Sequence, residues 1–284
     1  MPEVSTTRRG GTTLELRRRR LFGVLPTLLT LGNGACGFGA ITFAAKVGPE
    51  VTTTESLYIS ALLIFAAMVF DALDGPVARI SKQTSDFGAQ LDSLCDAISF
   101  GVAPGFLMLK YSDAFPPRIQ WVIAVLYMMC AVLRLARFNV STATTNDHDN
   151  FAGLPSPAAA GMVASLVVIN PRLDQMSRPE MSENWRQAGE WLTQITTYGL
   201  PIVTFAVACL MVSRIRYPHL FNQMIRGRRS FRHLVNLTFA GAAVFAVREL
   251  AIPVILLYYV LSGPARAVSS RIPGLGRATE RTAA

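Results

Sequence analysis

Two pairs of aspartates interrupt what is otherwise an apolar stretch of chain. Asp71 and Asp74 close one hydrophobic run, and Asp92 and Asp96 lie near the start of the next. The order is Asp71-x-x-Asp74-Gly75-x-x-Ala78-Arg79, eight residues, then Gly88-x-x-x-Asp92-x-x-x-Asp96. Steps of three and four set each pair on one face of its helix. An ionised carboxylate at membrane depth costs roughly 2.5–3.5 kcal/mol even on the lenient insertion scale. Four of them cost on the order of 10 kcal/mol unless something compensates. The cluster offers only oxygen ligands, so hard divalent cations are the natural compensation. Two other readings are a proton or cation pathway, and ion pairs with Arg79 and Arg134. Gly75, Ala78, Gly88 and Ala89 lack bulk where the two helices should face one another. Small residues let backbones approach, and beside carboxylates they also leave room for a ligand. Pro76 removes one helical hydrogen bond, which predicts a kink after Gly75 that opens this end of the helix.

The elements that must carry these residues are membrane spans. Of 284 residues, 51% are apolar and only 16% are charged, far below the usual quarter of a soluble domain. Apolar runs predict helices at about Leu21–Ala45, Leu57–Ile80, Gly88–Leu109, Ile119–Phe138, Pro155–Ile169 and Trp191–Ser213. A weaker pair, Leu234–Val247 and Ala251–Leu261, reads as a hairpin turning at Arg248-Glu249. The expected fold is all-α, a polytopic membrane helix bundle with a six-helix core and a C-terminal two-helix hairpin. Residues 1–20 are expected to form a disordered basic cytoplasmic tail and residues 21–213 the transmembrane core. Residues 214–284 are expected to supply a basic cytoplasmic loop, the hairpin and a second tail. The first apolar run is too long for a signal-peptide core and is read as an uncleaved span.

Placing the amino terminus inside puts 20 of the 27 Lys and Arg residues on the inner side, the bias that sets membrane orientation. All four aspartates then lie near the cytoplasmic face of the cell membrane. The net charge of +9 therefore reads as topology and gives no reason to expect a nucleic-acid partner. Arg226-Gly227-Arg228-Arg229 suits anionic lipid at the inner leaflet better than RNA. Cys36, Cys95, Cys130 and Cys209 all sit inside apolar runs without C-x-x-C spacing, which predicts buried small hydrophobes. Gly32-Asn33-Gly34-Ala35-Cys36-Gly37 fits G-x-G-x-x-G. That fingerprint needs a preceding strand, whereas here it lies within a helix and predicts close packing of the first helix on the core.

The eight specified positions from Asp71 to Asp96 resemble the signature of the CDP-alcohol phosphatidyltransferase family. The resemblance implies a metal-dependent transfer of a phosphatidyl group from a CDP-lipid to an alcohol, with release of CMP. It implies that Asp71, Asp74 and Asp92 ligate two divalent cations, Mg²⁺ or Mn²⁺. Asp96 borders the same metals and is the candidate general base. Gly75, Ala78 and Gly88 would make room for the CDP-lipid, Arg79 would hold its diphosphate, and Asn33 is a possible nucleotide contact. A homodimer is also implied. A cation transporter using the same aspartates is the competing class; transporter sites lie nearer the midplane.

Further stretches resemble the bacterial and archaeal integral-membrane phosphatidylserine synthases within the family. They are Leu133-Arg134-Leu135-Ala136-Arg137-Phe138-Asn139, Gly153-Leu154-Pro155-Ser156-Pro157-Ala158-Ala159-Ala160, Asn33-Gly34-Ala35-Cys36-Gly37-Phe38, and Met211-Val212-Ser213 with Tyr217-Pro218. The implied substrates are CDP-diacylglycerol and L-serine; inositol phosphate, glycerol phosphate or choline are the alternative acceptors. Serine carries a carboxylate, so its site should hold a cation besides the metals, and Arg134 and Arg137 are the candidates. Asp86 and Ser156 are expected to cap helices.

Overall fold

Large apolar side chains such as Leu28, Phe38, Val69, Trp121 and Ile202 are exposed on the outside of the described residues. A computed structural model describes residues 13–46, 53–81, 85–144, 153–215, 217 and 251–269. Every regular element among them is helical: α1 Thr13–Ala45, α2 Thr53–Ser81, α3 Asp86–Asp96, α4 Ala103–Tyr111, α5 Pro117–Thr144, α6 Ser156–Val168, α7 Asn170–Met176, α8 Glu183–Val212 and α9 Ala251–Ser269. Among the described residues, five stretches are long and apolar enough to cross a membrane: Val24–Ala45, Thr54–Arg79, Asp86–Tyr111, Pro117–Val140 and Glu183–Val212. The sixth expected span is α6, only 13 residues long. Most of its residues are fully enclosed by the other helices, so it needs no lipid-facing length of its own.

Several sequence expectations shift. The tail expected to be disordered over residues 1–20 is already helical from Thr13. The third span is interrupted, with a π-helical segment over Ala97–Val102 between α3 and α4. The extra residue in that wider turn starts directly after Asp96, and such bulges recur at functional sites. Helix α2 runs on through Pro76 to Ser81. Helix α8 begins eight residues earlier than expected, on polar turns laced by Arg186 with Glu183 at 2.7 Å and Glu190 at 3.9 Å. The cap of α3 is Ser85, whose Oγ accepts from the Gly88 N–H at 3.0 Å. Asp86 is a first-turn residue instead, favourable beside the helix dipole. The first arm of the expected hairpin, Leu234–Val247, and the stretch Arg226–Arg229 lie outside the described residues.

The glycines of the first helix explain how the core closes. A Cβ on Gly34 would sit 2.9 Å from Cys95 Sγ, and one on Gly37 would sit 2.7 Å from Ser99 Cα. The pseudo-fingerprint is therefore a packing seam that lets α1 press against α3 and the π segment. Ser99 Oγ donates to the Asn33 carbonyl across it at 2.9 Å. A second fastening joins the end of α8 to the start of α6. Gly153 adopts φ 101°, a conformation that strongly favours glycine. Its N–H donates to Ile215 O at 2.8 Å, and the Leu154 N–H donates to Leu210 O at 3.1 Å. Two of the stretches singled out in the sequence thus clasp each other, and the clasp aims the first turn of α6.

Candidate active site

Helices α2 and α3 both pack on α1, and their aspartates approach one another across the space between them. One oxygen from each of Asp71, Asp74 and Asp92 lies within 4.8 Å of the others. Asp96 stands apart from this trio. It is buried, 8% exposed, and its Oδ1 accepts a hydrogen bond from Asn33 Nδ2 at 2.8 Å. Asn33 itself is fully enclosed. Its side chain thus reaches the fourth aspartate of the signature. Asp74 is also held from α1, by Thr30 Oγ1 donating to Oδ2 at 3.2 Å. The first helix thus orients two of the four carboxylates, through Thr30 and Asn33.

No ion pair among the described residues engages any of the four aspartates. Asp92 Oδ1 is buried and has no hydrogen-bond partner. An orphaned carboxylate oxygen inside a trio of hard donors is what a divalent cation satisfies, so these residues fit the metal that the signature implies.

Gly75 is exposed, and a Cβ there would meet nothing within 4 Å. Its smallness answers no helix contact and leaves an open ledge beside Asp74. Arg79 is exposed on the next turn, with Nε donating back to the Gly75 carbonyl at 3.4 Å, so the guanidinium lies along that ledge. Ala78 is half-buried. Gly88 is tied to the capping turn instead: a Cβ there would sit 3.2 Å from Ser85 Oγ.

The two arginines of α5 part company. Arg134 is half-buried, and its Nη1 donates to Ser156 Oγ at 2.6 Å. It lies within electrostatic range of Asp96 and Asp71. Arg137 is exposed on the surface of α5. Ser156 is therefore a partner of Arg134 and not the cap of α6, a place taken by Pro155. Sequence reasoning gave no role to Ser93, beside Asp92, which Asn139 Nδ2 reaches at 2.9 Å. This contact fastens the C-terminal part of α5 to α3. A cavity of about 320 Å³ lined by Arg172, Gln175, Met176, Met181 and Trp185 shares no residue with the site.

Known proteins resemble this chain in sequence. A CDP-diacylglycerol–serine O-phosphatidyltransferase of Mycobacterium tuberculosis is 31% identical over 252 residues, covering 87% of this chain and 79% of that protein. The protein of the same name from Bacillus subtilis is 32% identical over 198 residues, 69% of this chain and 90% of its own length. An archaetidylserine synthase of Methanothermobacter thermautotrophicus is 33% identical over 200 residues, covering 69% of this chain and 70% of its own. Residues 23–212, which hold all four aspartates, Asn33 and Arg134, match the CDP-alcohol phosphatidyltransferase family. This multi-pass membrane protein belongs to that family.

Proposed function

We propose that the protein transfers the phosphatidyl group of CDP-diacylglycerol to the hydroxyl of L-serine, giving phosphatidylserine and CMP. The observation that carries the choice of serine is Arg134, fastened to Ser156 beside the aspartates. A guanidinium there suits an acceptor bearing its own carboxylate. Relatives named for serine transfer cover most of the chain and support the same choice.

Asp71, Asp74 and Asp92 would hold divalent cations, Mg²⁺ or Mn²⁺, which neutralise a diphosphate and stabilise a leaving phosphate oxygen. The remaining work falls to the chain itself. The open ledge at Gly75 admits the diphosphate, with Arg79 alongside as a charge-assisted donor. Asp96, with Oδ1 held by Asn33, keeps its other oxygen for the serine hydroxyl proton. The serine oxygen bonds to the lipid-side phosphorus, the bridging P–O bond breaks, and CMP departs with that electron pair. Arg134 orients serine by its carboxylate, so the hydroxyl points toward Asp96.

The site is assigned to the cytoplasmic face of the cell membrane by the charge asymmetry of the flanking segments. A homodimer follows from the family resemblance, and crosslinking of the purified protein tests it. The function is tested by incubating purified protein with CDP-diacylglycerol and each candidate alcohol, reading CMP release and the lipid product. Serine should be the preferred acceptor. Preference for glycerol phosphate, inositol phosphate or choline would overturn the reading.

A further inference from the structure

Helix α9 lies beyond residues 23–212 that match the family, yet it is docked on the core. It packs along α6, with Leu256 against Gly161. Tyr217 Oη donates to Val260 O at 3.1 Å, and its ring meets that of Tyr259 at 5.7 Å between centroids. Gly263 sits under the same tyrosine, where any Cβ would collide with it. Leu256, Tyr259, Val260 and Gly263 follow the 0, 3, 4, 7 spacing of one helix face. The other face, with Val254, Ile255, Leu257 and Tyr258, is exposed, Tyr258 at 77%.

These contacts fix direction as well as docking. Helix α6 runs away from the Gly153 clasp, whereas α9 runs from Gly161 back toward Tyr217. The two are antiparallel. Tyr259 is three residues beyond Leu256, about 4.5 Å along the axis. That step carries it toward Ser156, five residues before Gly161, and so toward the arginine bound there. Arg134 and Tyr259 lie within electrostatic range of each other.

We infer that Tyr259 is a specificity-determining residue of the acceptor site, its phenol donating to the carboxylate of the incoming amino-acid alcohol beside Arg134. The inference rests on the serine reading above. It makes α9 a wall of the site, where the sequence offered only an apolar segment. A phenol is a neutral donor that adds a directional bond to a carboxylate already held by a guanidinium.

The test uses the full chain in detergent or liposomes, with CDP-diacylglycerol and serine varied separately. Tyr259→Phe keeps the ring against Tyr217 and removes only the hydroxyl. It should raise the serine KM about tenfold, the lower end for a hydrogen bond to a charged group. The KM for CDP-diacylglycerol and kcat should hold, and ethanolamine, which lacks the carboxylate, should compete better. Tyr258→Phe, on the lipid face, should change nothing. If Arg134→Ala raises the serine KM while Tyr259→Phe does not, this inference fails and the serine reading stands. If neither variant moves it while serine remains the preferred acceptor, this inference fails and the carboxylate is held by other groups; if serine is not the preferred acceptor, both fail. An equal effect of Tyr258→Phe would also overturn it, because a lipid-facing hydroxyl cannot select serine.

Discussion

Gly37 and Gly75 are the same residue in two apolar helices, and they do opposite things. At Gly37 an added methyl group would drive into the backbone of Ser99; at Gly75 it would touch nothing. The first glycine closes a seam and the second keeps an opening. The seam carries α1 close enough for Asn33 and Thr30 to reach Asp96 and Asp74. The opening leaves the trio of aspartates accessible beside an exposed arginine. In a membrane protein, where helices gain little by merely avoiding water, a small residue states only that space matters. Whether the space is filled is a property of the fold.

The comparison can be broken most decisively at the open end. Asp71→Ala and Asp92→Ala should each abolish CMP release while the protein still inserts and purifies. Exhaustive chelation of the wild type should do the same, reversed by Mg²⁺ or Mn²⁺. Full turnover after chelation would remove the metal from the mechanism. Asp96→Asn comes next. Its turnover should fall about 10²–10⁴-fold, the usual worth of general-base assistance, with a modest change in CDP-lipid binding. A parallel collapse of metal binding, measured by titration calorimetry, would show that Asp96 is chiefly a ligand.

Arg134→Ala should raise the serine KM by about 10–150-fold, from the ~1.5–3 kcal/mol of a hydrogen bond to a charged group. Arg137→Ala, on the exposed side of the same helix, should leave it near the wild-type value. The smallest effects sharpen the contrast between the glycines. Gly37→Ala should lower thermal stability in detergent by about 1–3 kcal/mol, the usual cost of overpacking. Gly75→Ala should leave the melting temperature alone and raise the KM for CDP-diacylglycerol several-fold. Matching losses of stability in both variants would erase the distinction between seam and opening.

What the sequence revealed is what short spacings encode. The aspartate pairs, the spans and the misfit of the dinucleotide fingerprint all rest on steps of three, four or twenty residues. What it hid depends on distant partners. Asn33 meets Asp96 across 63 positions, and Asn139 meets Ser93 across 46; no local pattern announces either. Ser156 was misjudged for a similar reason. A serine at a helix start ordinarily caps it, but here the proline before it occupies that place and the hydroxyl is taken by Arg134. The π segment after Asp96 left no mark, since Ala97–Val102 contains nothing that ordinary helix propensity would reject. Arg134 and Arg137 were indistinguishable as basic residues at one helix end, and only packing separates them.

The clasp between Gly153 and the end of α8 bears on how the chain is made. Ribosomes deliver α2 and α3 long before Leu210 and Ile215, whose carbonyls hold the first turn of α6. During that interval four carboxylates stand at the membrane without Ser156 and its arginine in place. Synthesis therefore runs from the aspartates to their enclosure: the charged helices are laid down first, and the start of α6 is fastened only once the end of α8 has been made.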